Sequence, residues 1–405
     1  MNLRDCIYYV ERRPSVITMK KIYLDYASST AVDPAVMKAM EPYFSEKFGN
    51  PGAMHSFGQE AQAAIDESRQ KIADFFGCSF DEIIFTGPAT ESNNIAIRGV
   101  VKHARQNVRS RTPHIITSAI EHKSVLATCH DLEGDGVEVT YLPVTKDGFV
   151  RPEDVGAAIK ENTVLVSIMH VSNEIGTIQP IEEISKIIRK QKSSMPVFHT
   201  DAVQAPNYID CNVENLGVDL LTFSGQKIYG PKGVGGLYIK KGVEVAPFIT
   251  GGGQERGIRA GTENVPYIVG LAKAIEIASS MRNKEAARLG KLRDYFIDEV
   301  LAKIPNTELN GSCENRIPNN ANFLFRGIPA NNLLIALDQA GIAASSGSAC
   351  SIKTVSPSWV IMALGKNGEE AKQSIRFTLG KGSTKKDIDY TVSALAKIVS
   401  RVSTI

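Results

Sequence analysis

Val197-Phe-His-Thr-Asp-Ala-Val-Gln204 and, one structural unit later, Leu220-Leu-Thr-Phe-Ser-Gly-Gln-Lys227 are apolar runs that end in small and polar residues. Continuous apolar runs read as strands covered on both faces, and the ends of parallel strands are where ligands gather. Working outward, Ile83-Ile-Phe-Thr86, His114-Ile-Ile-Thr-Ser118, Val137 to Leu142 and Val164 to Met169 read the same way. Helical patterns lie between them, such as Ile181 to Gln191 after Pro180. Alternation of this kind implies an α/β layer on a mostly parallel sheet, flanked by helices.

The C-terminal part has a different rhythm. Lys284 to Ile304 is periodic at helical spacing through Leu289, Leu292, Phe296, Val300 and Ile304, after a separate helix over Pro266 to Met281. A strand (Asn322 to Phe325), a helix (Leu333 to Gln339), a strand (Ser374 to Thr378) and a final helix with a stripe of Ile388, Val392, Leu395, Val399 and Val402 follow. This predicts a smaller α+β domain. The expected division is an extension over 1–20, a large domain over 36–279, and a small domain built from 21–35 and 280–405.

Bulk properties narrow the function. A chain of 405 residues, 43% hydrophobic, supports a large core and two domains. Lys+Arg 46 against Asp+Glu 44 leaves +2, which points away from nucleic acid. No apolar run reaches membrane-spanning length. The six cysteines are scattered without metal-like spacing, which fits a reducing compartment. Met1 to Met19 mixes Arg4, Arg12 and Arg13 with Asp5 and Glu11 and lacks the apolar core of a secretory signal, so a cytoplasmic location is expected.

Lys227 behind small residues, with Asp201 on the preceding strand, is what a pyridoxal-phosphate (PLP) enzyme requires. The lysine holds the cofactor as a Schiff base, and the aspartate keeps the pyridine nitrogen protonated so that the ring is an electron sink. A buried Asp201 needs such a cation. Thr86-Gly-Pro-Ala-Thr-Glu-Ser-Asn-Asn94 joins a strand to a helix and reads as a phosphate cup, or otherwise as an ordinary Thr or Ser N-cap. His122, just past a strand end, can stack on a flat ring or be a plain hydrogen-bonded histidine. Asn173 is an amide at another strand end, or an Asx-turn residue. Gly251 to Thr262 is a glycine-rich loop carrying two arginines, suited to close backbone approach or to plain surface exposure. Arg376 offers a fork for an α-carboxylate, or a cross-strand ion pair. Cys350, in Ala343-Ala-Ser-Ser-Gly-Ser-Ala-Cys-Ser351, has little apolar bulk around it, the setting of a reactive thiol.

With these residues together, the chain resembles the cysteine desulfurases of the NifS/IscS type, class-V aminotransferases of PLP fold type I. The matching stretches include Ile22 to Thr30, Phe48-Gly-Asn-Pro51, Ala89-Thr-Glu-Ser92, Glu121-His-Lys123, Ser172-Asn-Glu-Ile-Gly176, Arg259-Ala-Gly-Thr262, Ser346-Gly-Ser-Ala-Cys350 and Ser374-Ile-Arg-Phe377. The resemblance implies a seven-stranded-type sheet in the large domain and PLP on Lys227. It implies Asp201 at the pyridine nitrogen, Gln204 at the phenolate oxygen and His122 stacked over the ring as an acid/base. Ala89, Thr90, Ser224 and Gln226 would hold the phosphate, helped by Thr262 of the other subunit of a homodimer. Asn173, beside the cofactor, and Arg376 would hold the carboxylate of L-cysteine. The reaction implied converts L-cysteine to L-alanine through a persulfide on Cys350. The sulfur would pass to an acceptor such as an iron–sulfur scaffold. No metal site is expected beyond a Cys350 sulfur shared with a nascent cluster there. A selenocysteine lyase or another class-V enzyme is the alternative. Gln226 departs from the family, which usually has histidine there; an amide donates to phosphate but carries no charge.

Overall fold

A computed structural model describes residues 21–107, 112–191, 195–347 and 356–402. Among the described residues twelve strands are formed: β1 (Ile22–Tyr23), β2 (Ile83–Thr86), β3 (His114–Ser118), β4 (Glu138–Leu142), β5 (Thr163–Ser167), β6 (Val197–Asp201), β7 (Leu220–Ser224), β8 (Gly235–Ile239), β9 (Thr307–Leu309), β10 (Asn320–Phe325), β11 (Ile342–Ala343) and β12 (Ser374–Thr378). Seven make one sheet in the order β2-β8-β7-β6-β5-β3-β4. Neighbours from β7 to β4 run parallel, and β8 alone is reversed, antiparallel to both β7 and β2.

Successive residues point to opposite faces of this sheet. Ile115, Leu165 and Leu220 pack into one apolar cluster, and their chain neighbours Ile116, Val166 and Leu221 into another. Both faces are therefore covered by helices, which is why these strands read as unbroken apolar runs. The sequence-based strands agree with the structure to within two residues. β8 escaped the sequence reading because Gly235 and Gly236 look like loop. In the sheet, Gly236 faces Phe223, whose ring would lie 2.2 Å from any Cβ placed there. The reversal of β8 makes residues 225–234 a link between antiparallel neighbours, and Lys227 sits in that link.

The two helices expected over Pro266–Met281 and Lys284–Ile304 are one helix of 39 residues, Val265–Lys303. No glycine or proline stands between Met281 and Lys284 to break it. Its C-terminal half packs on the antiparallel sheet β12-β10-β9, where Phe296 meets Phe323 and Phe377 at ring separations of 5.5 and 5.3 Å. The N-terminal segment joins this same part. β1 runs parallel to β11, and the Leu24 carbonyl accepts from the Thr378 N–H at 2.7 Å.

Candidate active site

Strands β2, β3, β5, β6 and β7 all end on one edge of the large sheet, and the turns that follow them surround a cavity of about 210 Å³. Ala89 and Thr90 come from the turn after β2, His122 from that after β3, and Asn173 from that after β5. Asp201 ends β6 with Gln204 beyond it, while Ser224 ends β7 and Gln226 and Lys227 follow it. Arg376 reaches in from β12 of the smaller sheet. Ten positions from Ala89 to Arg376 are thus brought together.

One end of the cavity suits an anion. The helix Ala89–Gln106 starts behind Pro88, with no side-chain cap. An ordinary Thr or Ser N-cap is therefore not what this turn provides, and Ala89 and Thr90 present the positive end of the helix dipole. Gln226 is half-buried on the same cavity, and its backbone carbonyl is tied to Thr30 by N–H (3.0 Å) and hydroxyl (2.9 Å) donors.

Asp201 and His122 line the same cavity. Asp201 is 8% exposed and accepts from the Val203 N–H at 3.1 Å and the Asn93 amide at 2.8 Å. His122 caps the helix Lys123–Gly134, its Nδ1 accepting from the Ser124 N–H at 3.2 Å. An accepting Nδ1 puts the ring proton on Nε2. Burial, opposed by Asp201 and reinforced by Lys227, holds this imidazole below the usual histidine range. A neutral ring suits stacking on a flat cofactor. Gln204 donates to the Ala27 carbonyl at 3.1 Å, which orients its amide at the rim.

Arg376 is the largest fully buried side chain, 1% exposed. It donates to the Asn173 carbonyl, Asp25 Oδ1 and Ser28 Oγ, each at 2.8 Å. Its Nε has no partner. A buried guanidinium held on three sides in this way is fixed in direction beside the cavity. The ion-pair reading of Arg376 is the one present, with Asp25, while its place on the cavity leaves the carboxylate reading as a proposal. The turn carrying Asn173 is held from the smaller sheet. Asn322 donates to the Glu174 carbonyl (3.1 Å) and Arg316 to that of Ile175 (2.7 Å). Gly176 closes the turn at φ 75°, with the Asn320 side chain 2.8 Å from where a Cβ would stand. Lys227 Nζ donates to the Ser28 carbonyl, so Ser28 contacts both the lysine and the arginine.

One expected site residue among those described does not line this cavity. Thr262 is exposed and away from it. Cys350 lies outside the described residues. The glycine-rich loop before Thr262 is anchored: Glu255 forms a bidentate pair with Arg69 at 2.8 and 2.8 Å, and Arg259 pairs with Glu91 at 2.8 Å. Among the other cysteines, burial pushes the thiols of Cys78 and Cys129 up to about 12, so both stay protonated. Cys313 is exposed.

Asn93, Ser124, Asp25 and Ser28 were not read from the sequence as site residues. Asn93 lies one helical turn beyond Ala89, on the same face, and that spacing was the available signal.

The chain belongs to the class-V aminotransferase family, whose model matches residues 22–391. Enzymes of this class use PLP, and the uncapped helix start, the Asp201 carboxylate and Lys227 around one cavity fit that cofactor. Within the family the chain stands among the cysteine desulfurases. It is 50% identical over 386 residues to the cysteine desulfurase IscS of Dictyoglomus turgidum, covering 95% of this chain and 96% of that protein. To cysteine desulfurase IscS 1 of Archaeoglobus fulgidus it is 46% identical, covering 94% and 97%. A solved NifS-like protein superposes with a TM-score of 0.87 at 37% identity, covering 94% of this chain and 100% of that one. A structure of SspA in complex with cysteine has a TM-score of 0.78 at 37% identity, covering 88% and 98%.

Proposed function

We propose that the enzyme takes L-cysteine, releases L-alanine and leaves the substrate's sulfur on Cys350 as a persulfide for an acceptor protein such as an iron–sulfur scaffold. The observation that carries this is one cavity lined by Lys227, Asp201 and the buried guanidinium of Arg376, the polar set an α-amino acid needs. The sequence supplies the thiol.

The transfer balances without an outside oxidant. The substrate's carbon–sulfur bond breaks, a sulfur–sulfur bond forms at Cys350, and the carbon gains the proton that makes the alanine methyl. Bound PLP supplies an electron sink at the substrate's α-carbon. The protein's own groups do the rest. Ala89, Thr90, Ser224 and Gln226 hold the phosphate, and Gln204 meets the phenolic oxygen. Asp201 keeps the ring nitrogen charged, and His122 stacks on the ring. Arg376 and Asn173 orient the carboxylate, and Lys227 moves protons at the α-carbon. Cys350 attacks as thiolate, and an ordinary thiol with a pKa of roughly 8.5 needs help from the site to ionise.

A homodimer completes the reading, with Thr262 serving the partner's phosphate. Thr262 is exposed, as are Phe44, Phe48, Met54 and Phe57, among which Phe48 and Phe57 stack at 5.8 Å. Apolar groups of this kind mark an interface. No helix among the described residues is long and apolar enough to cross a membrane, and a cytoplasmic location follows from the scattered cysteines.

The test is Cys350→Ser. It keeps the PLP absorption band and loses sulfide release from L-cysteine in the presence of a reductant. A variant that still yields sulfide and alanine in equal amounts would remove Cys350 from the reaction.

A further inference from the structure

We propose that Asn93 is a positioning residue of the cofactor site, whose single amide NH₂ group orients both the Asp201 carboxylate and, through Ser124, the His122 ring. Asn93 is fully buried on the helix Ala89–Gln106 and does not line the cavity. Its Nδ2 donates to Asp201 Oδ2 at 2.8 Å and to Ser124 Oγ at 2.8 Å. Only the amide nitrogen can face a carboxylate, which has no donor when ionised, so the orientation of Asn93 is settled by Asp201. Both of its N–H groups are then used.

Direction follows along the chain of bonds. Ser124 Oγ accepts from Asn93, so its own hydrogen is left for His122 Nδ1, 2.8 Å away. That bond joins the backbone N–H of Ser124 in treating Nδ1 as an acceptor. Two cavity-lining groups, Asp201 at the end of β6 and His122 in the turn after β3, therefore share one hidden amide. Asn93 Oδ1 has no partner. A buried acceptor left unpaired is unfavourable, and it is consistent with a side chain placed for its donors.

The inference rests on Asp201 and His122 as the cofactor's partners. Asn93→Asp tests it with almost no change of shape. It puts an acceptor where the two donors were, so Asp201 loses a hydrogen bond and the Ser124 hydroxyl turns toward position 93. A hydrogen bond to a charged group is worth enough for about a tenfold change. PLP trapped from the N93D holoenzyme should dissociate about tenfold faster than from wild type. In the cofactor-free protein, the ¹⁵N signals of His122 should move from the Nε2–H tautomer toward a doubly protonated ring at neutral pH, with H122Q giving the assignment. Wild-type PLP retention together with a wild-type His122 signature would overturn the proposal. Asn93→Ala reads the same two quantities if N93D fails to fold. Ser124→Ala should change the His122 signal more than PLP retention, and the reverse pattern also counts against the relay. The histidine signal is read without cofactor, so a failed assignment of Asp201 would show separately, as a wild-type protein that binds no PLP.

Discussion

Replacing Arg376 separates its two duties. One duty is structural: the guanidinium neutralises Asp25 at 2.8 Å, where the aspartate side chain is 17% exposed. The other, proposed, is toward substrate, through its place on the cavity and the fork that also holds the Asn173 carbonyl. Arg376→Lys keeps a cation beside Asp25 but cannot reproduce a planar fork. A hydrogen bond to a charged group contributes about 1.5–3 kcal/mol, so KM for L-cysteine should rise about 10- to 100-fold. Stability should change by about 1 kcal/mol. Arg376→Gln also strands the Asp25 carboxylate. Breaking a buried pair costs about 3–5 kcal/mol, and the Ser28 hydroxyl bond to Asp25 at 2.8 Å places this case near the lower end. KM comes from initial rates of alanine release, and stability from denaturant midpoints of the PLP-loaded protein. An unchanged KM in both variants would refute the carboxylate role. Equal destabilisation by Lys and Gln would refute the charge argument for Asp25.

Arg69→Met should destabilise the protein by about 3–5 kcal/mol, because it leaves Glu255, 2% exposed, with only the Phe85 N–H at 2.8 Å as partner; a denaturation midpoint equal to wild type would show that the loop over 251–262 needs no such anchor. His170 and His199 are fully buried, and burial pushes both down to about 4. The folded protein refuses protons that the unfolded chain takes up near 6.5, so stability present above pH 6.5 is lost as pH falls toward 4, by about 3 kcal/mol for each histidine. His170→Gln should make that acid loss shallower in denaturant titrations at matched pH, and an identical slope would contradict the assignment. Glu121, pushed up to about 8, acts in the opposite sense as pH rises from 4.5, and it is common to both proteins in the comparison.

Chemistry that depends on one residue type at a strand end was legible in the chain. Lys227 and Asp201 read together as a pair with one chemistry, while His122 and Arg376 each kept a plain reading beside the functional one; periodicity placed all four on or beside strands. Strand β8 was not legible, because Gly235 and Gly236 gain a reason only when Phe223 is known to lie opposite. Asn93 and Ser124 were not legible either, since an asparagine inside a helix looks the same whether it faces solvent or an aspartate 108 residues away.

Local pattern was therefore enough for the α/β alternation, the cofactor lysine and the candidate thiol, because hydrophobic period and functional-group chemistry are properties of short stretches. Folding added the pairings between distant residues. Asp25 meets Arg376, Asn93 meets Asp201, and Asn322 meets the Glu174 carbonyl across gaps of more than a hundred residues. Such contacts depend on which strands become neighbours and in what register. That is decided by the packing of the whole sheet, which no single stretch of sequence contains.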